Sequence, residues 1–98
     1  MSKWNFQNKA KLLQAELDYL NGEIESAEVA YNASIKSARE HKFIHEEALA
    51  CELYGIFCVN SGMPDQGTEQ LHVALKKYKE WGAMKKVEEL QDLLLELA

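Results

Sequence analysis

Apolar residues recur along the chain in five stripes of helical spacing, separated by breaks that centre on glycine. Over residues 4–20, Phe6, Ala10, Leu13, Leu17 and Leu20 step by four and three, which predicts one face of a first helix. Gly22 ends it. Glu23 and Glu25 then suit the positive end of a helix dipole, Ile24, Ala27, Tyr31, Ile35 and Ala38 form the next stripe, and Arg39, His41 and Lys42 close it with the opposite sign. The third segment, 43–62, is apolar on nearly every side, which predicts a central helix. Its small residues Ala48, Cys51, Gly55 and Cys58 share one side, where a neighbour can approach closely. Pro64 stands just after Gly62 and suits the first turn of a fourth helix, whose stripe is Gly67, Leu71, Ala74, Tyr78 and Trp81 before Gly82. Val87, Leu90, Leu94 and Leu97 mark a fifth, with Leu93 and Leu95 widening its apolar face.

Gly22, Gly62 and Gly82 close three of four successive twenty-residue blocks, so the helices pair into hairpins about 40 residues apart. The expected fold is all-α, one domain over 1–98, with five antiparallel helices making about two and a half hairpins of a short solenoid. Stacked hairpins bury one face against a neighbour and leave a grooved surface, an arrangement suited to holding another protein.

Composition narrows the partner. Of 98 residues, 47% are hydrophobic, which is ordinary for a folded domain. Residues 1–42 carry six basic and six acidic side chains, while 43–98 carry five basic and ten acidic. The acidic second half repels a phosphate backbone and no segment interleaves basic with aromatic residues, so nucleic acid is not the expected partner. Glu and Lys interrupt every block, which argues against membrane insertion, and residues 1–20 carry Lys3, Lys9, Lys11, Glu16 and Asp18 at helical spacing, unlike a signal peptide. An intracellular, soluble, cytoplasmic protein is expected. Cys51 and Cys58 lie seven apart on one helix, about 10 Å along its axis at about 1.5 Å per residue, too far for a disulfide. They are expected to be reduced core thiols.

The segment Gly22-Glu-Ile-Glu-Ser-Ala-Glu-Val-Ala-Tyr-Asn-Ala-Ser34 resembles the tetratricopeptide repeat signature: Gly22, a large apolar Ile24, Ala27, the aromatic Tyr31 and the small Ser34. Forty residues on, Gly62, Gly67, Leu71 and Ala74 match the same frame, with Pro64 in the apolar place and Leu71 in the aromatic one. The first-helix signature departs, with Lys11, Gln14 and Asp18 where an aromatic and leucines belong, and the 40-residue spacing exceeds the 34 of that family. A closer resemblance covers roughly residues 9–90. The run from Ala38 to Leu53, with its His-Lys-Phe-Ile-His-Glu-Glu-Ala-Leu-Ala stretch, and Tyr78-Lys-Glu-Trp-Gly-Ala-Met-Lys-Lys-Val87 look like the helical-repeat region of multidomain ATPase and sensor histidine kinase signalling proteins. The resemblance implies a helical scaffold between signalling modules, none of which lies in this sequence.

Chemistry is sparse. His41 and His45 are four apart beside Glu46 and Glu47, but the hairpin turn falls between them and no third ligand is suitably spaced, so caps or inter-helix hydrogen bonds are expected rather than a metal. No nucleophile elbow, phosphate loop or exposed cysteine beside histidine is present, so neither catalysis nor a cofactor is expected. Glu46/Glu47 and Glu88/Glu89 read as solvated helix faces, and Trp4, Tyr31, Tyr78 and Trp81 as packing residues.

In tetratricopeptide-like stacks the first helix of each hairpin lines the inner groove. The resemblance therefore implies a binding surface of Lys9, Leu12, Glu16, Tyr19 and Leu20, then Leu49, Glu52, Ile56, Val59 and Asn60, apolar with acidic studs. Glu89, Asp92 and Glu96 extend the acidity. A helix or extended peptide with apolar anchors and Lys or Arg is the expected ligand. The fifth helix, through Leu90 and Leu94 with Val87 and Leu97, could cap the stack, pair with a copy of itself or join a larger complex. A scaffold subunit or adaptor follows, with a regulatory sensor module of a signalling system as the alternative.

Overall fold

The computed structural model describes residues 6–98, with side chains from Asn8 onward. The expected helix start at Trp4 and the packing roles of Trp4 and Phe6 lie outside those residues. Among the described residues five helices follow one another, α1 Phe6–Leu20, α2 Ile24–Glu40, α3 Ile44–Asn60, α4 Pro64–Trp81 and α5 Met84–Leu97. Each packs on the one before it, and α1 also touches α3. The result is a slab of 36 × 33 × 18 Å.

The turns are built alike. Gly22, Lys42, Gly62 and Gly82 occur every twenty residues and all take positive φ, 77°, 59°, 84° and 88°. A left-handed residue just past a helix lets the chain reverse while the next N–H reaches back to the last turn. Glu23 N–H bonds to the Asp18 carbonyl at 2.8 Å, Phe43 to Ala38 at 2.9 Å, Met63 to Cys58 at 2.8 Å and Ala83 to Tyr78 at 3.0 Å. Lys42 holds by strain the conformation that glycine adopts freely at the other three. Pro64 opens α4 as expected, where its missing N–H costs no bond.

The core runs through the middle helices. Ala27, Tyr31, Ile35 and Ala38 of α2, Ala48, Ala50, Cys51, Tyr54, Phe57 and Cys58 of α3, and Leu71, Ala74 and Tyr78 of α4 are all buried. Tyr31, Tyr54 and Phe57 pack ring against ring, with centroids 5.1 to 6.1 Å apart. The α3/α4 crossing is close because Gly55 and Gly67 face each other. A Cβ on Gly55 would stand 2.8 Å from Leu71 Cγ, and one on Gly67 would stand 2.7 Å from the Gly55 carbonyl oxygen. Both thiols are free and buried.

Several expectations are corrected. The α1 stripe faces outward, with Leu13, Leu17 and Leu20 at 59%, 54% and 80% exposure, while Asn8, Leu12, Ala15 and Asp18 face the core. Polar groups at the inner positions make hydrogen bonds there: Asn8 Nδ2 donates to Glu46 Oε2 at 3.0 Å and Gln14 Nε2 to Asp18 Oδ1 at 2.9 Å. Glu46 and Glu47 are not a solvated face but are both buried; Glu47 takes Arg39 at 2.9 Å and Lys77 at 3.8 Å. Trp81 is 42% exposed, its ring meeting His45 edge-on at 4.0 Å, because it lies at the last residue of α4 where the core has ended. Ile24 at the start of α2 and Leu97 at the end of α5 are likewise exposed.

Candidate interaction surface

A groove of about 410 Å³ lies between α1 and α3. Its walls are Leu12 and Leu13 from α1 and Leu49 and Leu53 from α3, with Lys9 and Glu16 on the α1 rim and Asn8, Ser34 and Glu46 deeper in. Two buried polar contacts hold the helices that make it. The Asn8 amide donates to Glu46 on α3, and the Ser34 hydroxyl on α2 donates to the Asn8 carbonyl oxygen at 3.3 Å. Glu16 is fixed from beneath by the Tyr31 hydroxyl, which donates to Oε1 at 2.8 Å. Burial, then the hydrogen bond to Glu16, push the Tyr31 phenol far above its ordinary value, so it remains a donor. The groove therefore has leucine walls over a hydrogen-bonded polar floor, with a fixed carboxylate and an ammonium on one edge.

Of the residues assigned from the sequence, Lys9, Leu12, Glu16 and Leu49 come together here. The others go elsewhere. Tyr19 sets its ring edge-on to Phe57 at 5.1 Å and accepts from Asn60 Nδ2 at 3.1 Å, and Ile56 packs half-buried against the core. Leu20 points outward. Glu52 is buried and faces α4 and α5, where its carboxylate accepts the Tyr78 hydroxyl at 2.7 Å and Lys86 Nζ at 3.1 Å. Burial alone would lower the Lys86 ammonium, but Glu52 and Glu89 outweigh it and raise it. Leu90, at 1% exposure, is core and offers no surface, whereas Leu94 lines a second groove between α4 and α5.

The residues missed were Asn8, Leu13, Ser34, Glu46 and Leu53. On α3 the groove positions 46, 49 and 53 form one helical stripe, rotated from the expected 49, 52 and 56. The clue available in the sequence was that Glu46, Leu49 and Leu53 step by three and four. Because α3 is apolar nearly all round, its own pattern could not say which stripe was open.

His41 and His45 are separated by the turn. His41 Nδ1 lies 2.7 Å from the Ser37 carbonyl oxygen, a helix-end contact, and among the described residues no three His, Cys, Asp or Glu are grouped to hold a metal ion. Burial, then the Glu47 charge, push the Cys51 thiol up to about 11, and burial also raises Cys58, so both are protonated at neutral pH. Among the described residues no helix is long and apolar enough to cross a membrane. Compared with known proteins, the chain matches no family model, no curated protein and no solved structure.

Proposed function

We propose that this chain is a non-catalytic protein-interaction module of tetratricopeptide-like character, serving as a scaffold subunit or adaptor in the cytoplasm. Its α1/α3 groove receives an amphipathic helix or peptide whose apolar side chains enter among Leu12, Leu13, Leu49 and Leu53. The observation that carries this reading is the open leucine-lined groove with Glu16 fixed at its edge. Four leucines offer non-directional burial, worth about 25 cal/mol per Å² of apolar area covered, and Glu16 selects for Lys or Arg on the ligand. Two buried, protonated thiols suit a reducing compartment.

A second reading, a regulatory sensor of a signalling system, is favoured by one dimension. At about 410 Å³ the groove falls in the size range of small-molecule pockets. One experiment separates the two: thermal melting of the protein against a panel of small metabolites and a panel of leucine-rich basic peptides. The interaction reading expects Tm to rise with peptides alone; a rise with a metabolite alone would replace it with the sensor.

A further inference from the structure

One end of the helix stack presents an apolar ridge and the other an apolar groove. At the first end, α1 turns Leu13, Leu17 and Leu20 outward as a ridge at steps of four and three, each more than half exposed, with the exposed Lys9 one turn before Leu13. At the other, α4 and α5 bound an open groove of about 580 Å³, lined by Leu75, Leu94, Leu95 and Leu97 with Asp92 at its edge. Each helix of the stack packs on its predecessor after a tight reversing turn, so a helix continuing the stack beyond α5 runs antiparallel to it. We propose that a second copy of this chain seats its α1 ridge in this α4/α5 groove, head to tail.

Charge fixes the direction. An antiparallel α1 of the second copy brings Lys9, one turn from Leu13 on the ridge side of α1, to the C-terminal half of α5 beside Asp92, whereas a parallel one brings it to Lys85 and Lys86. Two self-complementary pairings are less favourable. Placing α5 on its own copy opposes helices that each carry Glu88, Glu89, Asp92 and Glu96 against only Lys85 and Lys86. Placing α1 on its own copy sets ridge on ridge and leaves the α4/α5 groove open, whereas ridges pack into grooves. A head-to-tail contact does not close on two copies, so assembly continues with concentration. This contact uses the ends of the stack and shares Lys9 and Leu13 with the rim of the α1/α3 groove.

The test mixes two variants, each with one end spoiled. Leu17→Glu removes the ridge and Leu95→Glu removes the groove, at positions 54% and 74% exposed, where a charge leaves the fold intact. Far-UV circular dichroism checks the fold, and Leu20→Glu serves as a second ridge variant. Sedimentation equilibrium of the wild type should give a mass that rises with concentration. Each variant alone should stay at the 11.2 kDa of one chain, and an equimolar mixture should reach twice that mass and go no further. A wild type that stays monomeric at every concentration overturns the proposal. So does a variant that forms a closed dimer by itself while the mixture adds nothing, since that marks a self-complementary contact instead.

Discussion

The Tyr78 hydroxyl on α4 donates to Glu52 Oε1 on α3 at 2.7 Å, and the same contact recurs one helix earlier, where Tyr54 on α3 donates to Glu28 Oε2 on α2 at 3.1 Å. Tyr31 on α2 repeats it with Glu16 on α1. In each case a tyrosine in the core reaches back to a carboxylate of the preceding helix, so its ring supplies burial and its hydroxyl sets the axial register of the pair. The Glu52 contact is the most enclosed, with Lys86 on the second carboxylate oxygen and over the Tyr78 ring at 5.6 Å. A hydrogen bond to a charged group is worth about 1.5–3 kcal/mol. Tyr78→Phe should lower the unfolding free energy by that amount in urea titration, and a double-mutant cycle with Glu52→Ala, which removes the acceptor, should return a coupling of similar sign and size.

These phenols make stability fall in alkali. Burial, first, raises Tyr54 to about 12, while burial and their glutamate partners raise Tyr31 and Tyr78 further, and burial raises Cys51 to about 11. A folded-state value above the unfolded one means the folded protein holds its proton longer. The resulting stabilisation is whole below the unfolded values, about pH 9 for the thiol and 10 for the phenols, and is lost as pH rises through the folded ones. Each group still protonated when folded but ionised when unfolded contributes a slope of about −1.4 kcal/mol per pH unit. The urea midpoint should therefore decline from pH 9 and steepen between 10 and 12, and the Tyr78→Phe variant should show a shallower decline over that upper interval.

Lys42 is the misfit among the four turns. It holds φ 59° where the other turns place glycine, and left-handed backbone costs a side-chain-bearing residue about 1–2 kcal/mol. Part of that is returned by the greater unfolded freedom of glycine. Lys42→Gly should stabilise the protein by about 0.5–1 kcal/mol, read as a higher Tm. The reverse change, Gly62→Ala, meets no atom within 4 Å and should cost about 1 kcal/mol through backbone strain alone.

The α3/α4 crossing should refuse even a methyl group. Gly55→Ala presses on Leu71, a side chain that can turn, although the Gly67 carbonyl oxygen at 3.0 Å is also near. Gly67→Ala presses on backbone, the Gly55 carbonyl oxygen and Val59 N at 2.9 Å, which cannot turn away. Overpacking costs about 1–3 kcal/mol, offset by about 1 kcal/mol of helix propensity. Gly67→Ala should be the more destabilising of the two in urea titration, despite the shared gain in propensity.

The turns, the number of helices, the central place of α3 and the inward faces of α2 and α4 were legible in the sequence because each rests on local signals: glycine at helix ends, Pro64 at a first turn, apolar steps of three and four. The face of α1 was not. Its stronger apolar stripe, Leu13, Leu17 and Leu20, lies outside, while the inner stripe is weakened by Asn8 and Asp18, whose burial depends on partners that local spacing does not reveal. Glu46 and Glu47 read as solvent-facing, and Glu52 as a groove residue, for the same reason, since their partners are 8 to 38 residues away. The groove was half legible: the α1 residues Lys9, Leu12 and Glu16 were placed by the repeat frame, while on α3 the frame was offset by part of a turn.

The measurement that bears most directly on the central claim is binding of two fluorescent amphipathic helical peptides, identical in their leucine anchors and opposite in flanking charge. The protein should bind the Lys/Arg peptide at least about tenfold more tightly than the Glu peptide, a difference of about 1.4 kcal/mol. Leu53→Glu should abolish binding, and Glu16→Gln, which keeps an acceptor for Tyr31, should narrow the preference without unfolding the protein. Equal affinity for the two peptides, or binding that survives Leu53→Glu unchanged, would contradict the assignment of the α1/α3 groove as the interaction surface.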